Sequence, residues 1–450
     1  MPVSEGPVSE GTAAVPLDRE GRRTHPLTGV LQGLVWAGAA CAGLATSVLS
    51  GDTFGDLPWW VGLLVVVLGA LALGELIGLV QWWFTRYLVD ADELRIDSGV
   101  LTKSSRRIPF ERIQSVDIAE PLVARVFGLA ELRVDLAGGE DSSTRLRLLP
   151  LDQARAMRRL LLDRAHGRRD DGPDAPDLDP ADEGELITVV PPERIILGTV
   201  LSLDFLGAVG VLVLLLAAAV GFSQPLVLLG GVVPVVTWAV RIIAVRVVSQ
   251  WGFTLRRTPR GLRIERGLLS RTSQTIPFAR VQGVAVDEPV VWRRLGWQRL
   301  EVDVAGYASA SDDSITETSS TLLPIADAAL AAAVVDELVH HGVDVPHVRV
   351  ARRGWPFAPV GWRFRWIGAE GPVVVSRTGW LSRRTSVVPH HKAQSVALRQ
   401  GPLQRRLRVA TVEVHTPAGP VDVEARHLTS ADARAVWEDQ LARAREARQR

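Results

Sequence analysis

Gly99-Val-Leu-Thr-Lys-Ser-Ser-Arg-Arg-Ile-Pro-Phe-Glu-Arg-Ile-Gln-Ser-Val116 decides how this chain is built. It returns 168 residues later as Gly267-Leu-Leu-Ser-Arg-Thr-Ser-Gln-Thr-Ile-Pro-Phe-Ala-Arg-Val-Gln-Gly-Val284. A third copy, 280 residues after the first, reads Gly379-Trp-Leu-Ser-Arg-Arg-Thr-Ser-Val-Val-Pro-His-His-Lys-Ala-Gln-Ser-Val396. The three align without a gap. Gly99/Gly267/Gly379, Leu101/Leu269/Leu381, Pro109/Pro277/Pro389, Gln114/Gln282/Gln394 and Val116/Val284/Val396 are identical columns. One supersecondary unit is therefore used three times.

Working outward, each copy follows a short alternating strand, Leu94-Arg-Ile-Asp97 or Leu262-Arg-Ile-Glu265. The glycine suits a tight turn between strands. The strand after it ends at the proline, which belongs at an edge or bend rather than inside a ladder. Later segments alternate again: Leu132-Arg-Val-Asp-Leu136, Leu300-Glu-Val-Asp-Val304 and Val412-Glu-Val-His415. A helical stretch closes each repeat, near 151–165, 326–340 and 429–446, with Asp152 and Thr429 as candidate N-caps. The simplest unit is a small antiparallel barrel or sandwich of about 80 residues closed by one helix.

The rest of the chain is apolar blocks and polar connectors. Hydrophobic residues make up 47% and charged residues 22% of 450 residues, a length that suits about three domains. Residues 1–26 read as a disordered tail. Leu27 to Ser50 carries no charge, and Trp59 to Phe84 carries one acid, Glu75, between Trp59-Trp60 and Trp82-Trp83. Both are long enough to cross a hydrocarbon layer of about 30 Å. Ile195 to Val220, with Asp204, and the run from Pro225 through Val248, with Arg241 and Arg246, make a second hairpin. The short loops at 51–58 and 221–225 lack Lys and Arg, whereas the outer flanks hold Arg19, Arg22, Arg23, Arg86, Arg95, Arg194, Arg256, Arg257 and Arg260. The bias places both termini and every polar module in the cytoplasm. The expected division is a tail at 1–26, hairpin 27–85, module 86–165, acidic linker 166–185, hairpin 186–250, module 251–343, connector 344–366 and module 367–450.

With hairpins and motif together, the chain resembles bacterial membrane proteins that carry the bacterial pleckstrin-homology-like domain, in particular the multi-pass subfamily with several such domains. The resemblance runs from Leu27 to the C-terminus. It implies a fold of membrane helical hairpins plus α+β, with three pleckstrin-homology-like barrel or sandwich domains at the membrane face, and it implies no defined activity. Repeat three departs from it. His390 stands where the others have Phe110 and Phe278, and Pro402 is displaced by one residue relative to Pro121 and Pro289.

Three basic columns run through the repeats: Lys103/Arg271/Arg383, Arg112/Arg280/Lys392 and Arg125/Arg293/Arg405, with Arg106, Arg107 and Arg384 nearby. They are candidates for anionic lipid headgroups or a partner, each cation adding about 1 kcal/mol near a membrane surface. A solvated strand face, or pairing with Glu111, Asp117 and Glu120, is the plainer alternative. Glu75, Asp204 and Arg241 lie inside apolar spans, two to three turns from the cytoplasmic end, where ionisable groups pair or line a polar path. Asp204 and Arg241 could pair. Gly74-x-x-x-Gly78 permits close helix contact.

A formal charge of +1, from 51 Lys+Arg against 50 Asp+Glu, argues against a globally basic nucleic-acid binder. One cysteine, Cys41, leaves no disulfide framework. Adjacent His390 and His391 on a strand would face opposite ways, which speaks against one metal holding both. No nucleophile elbow, phosphate loop or zinc-helix motif occurs, so neither an enzyme nor a cofactor is expected. The expectation is a scaffold or binding module for membrane lipid, for another membrane protein of this domain type or for a second copy of itself. The alternative is a transport or export accessory that uses Glu75, Asp204 and Arg241.

Overall fold

The computed structural model describes residues 27–30, 33, 37, 59–90, 92–98, 104–136, 143–165, 184–221, 228–259, 261–305, 320–340, 342–417 and 419–449. The expected tail, most of the span Leu27–Ser50, the two short loops and nearly all of the linker lie outside these residues, as do Gly99, Lys103 and Arg260. The chain divides into two compact units: residues 1–137 with 143–175, and residues 138–142 with 176–450. Among the described residues, three helices are long and apolar enough to cross a membrane, at Val67–Phe84, Leu203–Gly221 and Gly230–Val248.

In the first unit, helix Trp59–Phe84 leads through Thr85 directly into strand β1 (Arg86–Val89). The described residues of the preceding span pack on it through glycines. A Cβ on Gly78 would fall 2.1 Å from the Gly29 carbonyl oxygen, and one on Gly74 would fall 2.4 Å from that of Gly33. The small-residue spacing thus serves contact within the chain. Glu75 is half-buried on this helix. Strands β1, β2 (Glu93–Ser98) and β3 (Ser104–Pro109) form one antiparallel sheet. Strands β4 (Ile113–Pro121), β5 (Leu129–Leu136) and β6 (Ser143–Pro150) pair in that order. Pro109 ends β3, and a 3-10 turn at Phe110–Arg112 carries the chain between the sheets. Helix Leu151–Ala165 closes the module by burying Ala154, Met157 and Leu161 at helical spacing among Leu94, Ile108, Leu132 and Val134. Asp152 lies in its first turn, where a carboxylate favours the helix dipole, rather than at the cap.

The second unit holds two further modules of the same grammar. The second module begins before its hairpin. Strand β7 (Glu185–Val189) leaves the sheet, the membrane segment follows, and β8 (Thr254–Thr258) returns to pair with it. Strands β9 (Gly261–Arg266) and β10 (Ser270–Pro277) complete that antiparallel sheet. Strands β11 (Val281–Pro289), β12 (Trp297–Val304) and β13 (Thr321–Asp327) follow, closed by helix Ala328–Val339. The third module has β14 (His347–Arg349), β15 (Trp366–Glu370), β16 (Val373–Thr378) and β17 (Ser382–Pro389), then β18 (Ser395–Arg399), β19 (Val409–His415) and β20 (Val423–Thr429). Helix Ser430–Gln449 ends it, and the Thr429 hydroxyl accepts from the Asp432 N–H at 3.1 Å, as an N-cap does. The stretch 344–366, expected as a connector, supplies β14 and two 3-10 turns to this module. Turn glycines Gly267 and Gly379 have φ of +112° and +87°, and a Cβ on either would meet a serine carbonyl oxygen at 1.9 Å.

The second and third modules share one sheet, of order β13-β12-β11-β17-β16-β15-β14. β11 pairs with β17 from Val284↔Val387 to Pro289↔Ser382. Both faces of β11 are therefore covered. Val284 and Val286 point into the second module's core with Val387, while Ala285 joins Val374, Val388 and Val412 in the third. Gly283 permits this approach, since a Cβ there would lie 2.9 Å from a Val388 methyl.

His390 occupies the buried place of Phe110 at the third module's 3-10 turn His390–Lys392, while His391 is exposed. Burial pushes His390 down to about 4, and its Nε2 has no hydrogen-bond partner among the described residues. The unfolded chain takes up this proton first, so stability present above the ordinary histidine value is lost as pH falls from about 6.5 to about 4. His390→Phe is expected to remove this loss, which reaches about 3 kcal/mol at the acid end. Thermal unfolding of both proteins at pH 7 and pH 5 checks it, and an unchanged pH response in the variant would count against the assignment.

Candidate functional site

Several features gather at the foot of the second hairpin. The apolar run expected to span from Ile195 is broken. Helix Pro192–Val200 ends at Leu201, and a new helix, Leu203–Gly221, begins after Ser202. The Ser202 hydroxyl accepts from the Phe205 N–H at 3.3 Å and marks the break. The first helix packs on the module. Its Ile195 and Thr199 are buried, and the Trp292 indole N–H donates to the Gly198 carbonyl at 3.2 Å. A Cβ on Gly198 would fall 2.1 Å from the Ile325 Cδ1, so a larger residue here would require Ile325 to move.

Because of the break, Asp204 lies in the first turn of the spanning helix instead of two or three turns deep. There the positive end of the helix favours a carboxylate. Its ion partner is Arg246, not Arg241, which is exposed on its own helix. Arg299, on β12, stacks over Trp292 at 5.4 Å and senses the charges of this pair. Burial and then Arg246 push the Arg299 guanidinium below its ordinary value.

Two of the three repeat turns stand at this foot. In the second module, the Gly267 N–H donates to Trp251 and the Leu268 N–H to Val248, at 2.8 and 2.9 Å, which ties the turn to the hairpin's end. In the third module, the Leu381 carbonyl accepts from the Val290 N–H at 2.7 Å, beside Trp292 on helix Val290–Leu295. Leu268 and Leu269 on one turn, and Trp380 and Leu381 on the other, are exposed. Each tip therefore reads apolar-apolar-Ser-Arg, with Arg271 or Arg383 just behind it. An apolar tip backed by a cation suits the water–lipid boundary.

The basic columns part company in space. Arg271 bridges to Glu265 at 3.0 Å and stays largely exposed. Arg383 lies 5.8 Å over the Phe364 ring. Arg293 donates to the Glu288 and Trp380 carbonyls at 3.3 Å. Burial and the neighbouring Arg383 push Arg293 below its ordinary value. Arg280 donates to the Ala305 carbonyl at 2.6 Å. Lys392 reaches the Ala279 carbonyl at 2.7 Å, and Arg384 pairs with Asp287 and Glu301 at 2.7 and 2.8 Å. Arg293, Arg384 and Lys392 thus tie the third module to the second. Arg405 is exposed on its short helix. In the first unit, Arg107 approaches Glu93 at 3.8 Å, Arg112 and Arg125 are exposed, and Arg106 is half-buried. Of the motif glutamines, Gln282 is buried and donates to the Arg280 carbonyl at 3.1 Å, whereas Gln394 is exposed. Pro277 and Pro389 end β10 and β17 as Pro109 ends β3.

The family model of the bacterial PH domain matches three times, over residues 36–165, 201–342 and 348–444. The chain belongs to the bacterial PH domain family. A curated relative, the UPF0699 transmembrane protein YdbT of Bacillus subtilis strain 168, is 23% identical over 275 residues. That match covers 53% of this chain, and the chain spans about half of the relative's length, 54%. With the three apolar helices, the likeness makes this a membrane protein built on repeated bacterial PH domains. The sequence reading missed the docked helix Pro192–Val200 of the second PH domain. Its signal was present in Gly198 inside an apolar run and in a tryptophan, Trp292, on a charged helix.

Proposed function

We propose that the protein is a non-enzymatic membrane scaffold whose PH domains engage anionic lipid headgroups at the cytoplasmic surface of a bacterial membrane. One observation carries the reading: the Gly267 and Gly379 turns, each with an exposed apolar tip and an arginine behind it, stand at the foot of a membrane hairpin. A tether this short keeps the tips at the lipid surface, so weak individual contacts suffice. The positive flanks of both hairpins support a topology with termini and PH domains inside. We read the Asp204–Arg246 pair as a fixture that sets the hairpin on its domain, a role that needs no transported solute.

The test is crosslinking and pull-down of the intact protein from its own membrane, with lipid analysis of the same sample. Enrichment of anionic lipid that is lost on reversing Lys103, Arg271 and Arg383 to glutamate supports the reading. A stoichiometric protein partner, or a second copy of this chain, recovered without lipid enrichment replaces it with an assembly role.

A further inference from the structure

In the second PH domain the chain leaves the sheet after β7, makes the membrane hairpin and returns at β8, and the Val190 N–H to Phe253 carbonyl bond at 2.9 Å closes the neck. In the third, the chain leaves after β14 and returns at β15, and the Val350 N–H to Arg365 carbonyl bond at 3.1 Å closes the same neck. Phe253 and Arg365 are separated by the same offset, 112 residues, as Gly267 and Gly379. Residues 351–364 therefore stand where the second domain carries its hairpin. They fold back as 3-10 turns Arg352–Phe357 and Trp362–Phe364. Gly354 lies against His427, and the Phe357 ring stacks on His427 at 4.3 Å. Trp355 and Val360 remain more than half exposed, at 55% and 57%.

Beside this segment, helix Pro402–Leu407 ends at Arg408 with φ of +53°. The equivalent positions in the first two domains are Gly128 and Gly296, with φ of +66° and +70°. Glycine accepts that left-handed conformation freely, whereas a side chain is strained there, and such strain persists where the surroundings or a function hold it. The strained residue completes a basic groove. Arg352, Arg353, Arg406 and Arg408 line a cleft of about 630 Å³, with Trp355 and Leu407 as apolar walls and no acidic residue in its lining. Among the described residues none of the four guanidinium groups forms an ion pair. Four unneutralised guanidinium groups around one cleft repel each other, and their planar forks match phosphate oxygens in pairs.

We propose that this groove binds a phosphate group, supplied by an anionic lipid headgroup at the membrane surface where the missing hairpin would have entered. Trp355 would lie at the water–lipid boundary and the four arginines at the phosphate level. The proposal rests on the reading that these domains engage membrane anions, and it adds a site outside the repeat-turn tips.

Full-length protein in nanodiscs of phosphatidylcholine with phosphatidylglycerol, analysed by native mass spectrometry, tests it. Arg408→Gly restores the residue of the other repeats and relieves strain, so the fold is retained. Combined with Arg406→Ser, it is expected to lower phosphatidylglycerol retention by roughly 30-fold, as loss of two cations at a membrane surface should. A parallel arm offers soluble glycerol 1-phosphate in nanodiscs of phosphatidylcholine alone. Binding there that the variant loses, without lipid retention, upholds the phosphate site and makes its ligand a free phosphate ester. Wild-type retention in the groove variant, with loss in Arg271→Glu/Arg383→Glu, overturns the groove and leaves the proposed function standing. No anionic preference in any protein overturns both.

Discussion

Ala285→Asp is expected to separate the second and third PH domains while leaving each able to form its strands. β11 is covered on both sides, and Ala285 is fully buried in the third domain's core with Val374, Val388 and Val412. Those valines offer no hydrogen-bond donor; directly across the ladder stand Ser386, which can donate one hydrogen bond, and Glu301, whose carboxylate would repel a second charge. The cost is at least about 3 kcal/mol, or the group must take up a proton. The same repeat position in the first domain is aspartate, Asp117, which is buried but has interaction partners there. The strand itself therefore tolerates the residue where partners satisfy it. Hydrogen exchange across β11 and β17, with proteolysis of the segment 342–346, reads the effect. Ala285→Ser, small and neutral, should leave the seam closed. Protection of β17 unchanged in the aspartate variant would mean that the shared sheet is not what joins the domains.

Arg384→Met should open the same seam by another route. One guanidinium holds Asp287 on β11 and Glu301 on β12, and donates to the Pro420 carbonyl at 2.5 Å. Removing it leaves two partly buried carboxylates facing each other, a loss of about 3–5 kcal/mol for a broken buried pair. Burial already raises Asp287 to about 6 with the arginine in place. A carboxyl whose folded value lies above its unfolded value stabilises most where it is protonated. Its contribution is present below about 4 and falls as pH rises through about 6. Without Arg384 that window extends upward, so the variant should lose more stability at pH 8 than at pH 5, seen by thermal unfolding of the full chain. Adding Asp287→Asn and Glu301→Gln should recover most of the loss, because the uncompensated charges are gone. A loss that is equal at both pH values and is not rescued would show that Arg384 acts through packing alone.

Much of this architecture is legible in the residues themselves. Gly267 and Gly379 announce turns that only glycine accepts, and Pro109, Pro277 and Pro389 announce the ends of β3, β10 and β17, because both residue types restrict φ locally. Alternation in Leu132–Leu136 and Leu300–Val304 finds β5 and β12 for the same reason. The candidate site is less legible. Arg293 and Arg383 belong to basic columns and Arg384 lies beside one, yet one caps a junction, one lies over Phe364 and one bridges two acids across domains. The apolar letters of Ile195–Val200 do not distinguish lipid from the core around Trp292 and Ile325, since both are dry.

The sequence by itself determined the threefold repeat, the strand–turn–strand grammar, the closing helices and the apolar spans, since each is a local periodicity or a backbone restriction. Only the tertiary structure decided that β11 and β17 join two domains in one sheet. It also showed that Asp204 answers to Arg246, and that Arg352 and Arg353 meet Arg406 and Arg408 in one groove. Strand-edge pairing is made by main-chain groups that every copy of the repeat possesses. Convergence of charges far apart in the chain depends on how the modules close, which no local pattern of residues encodes.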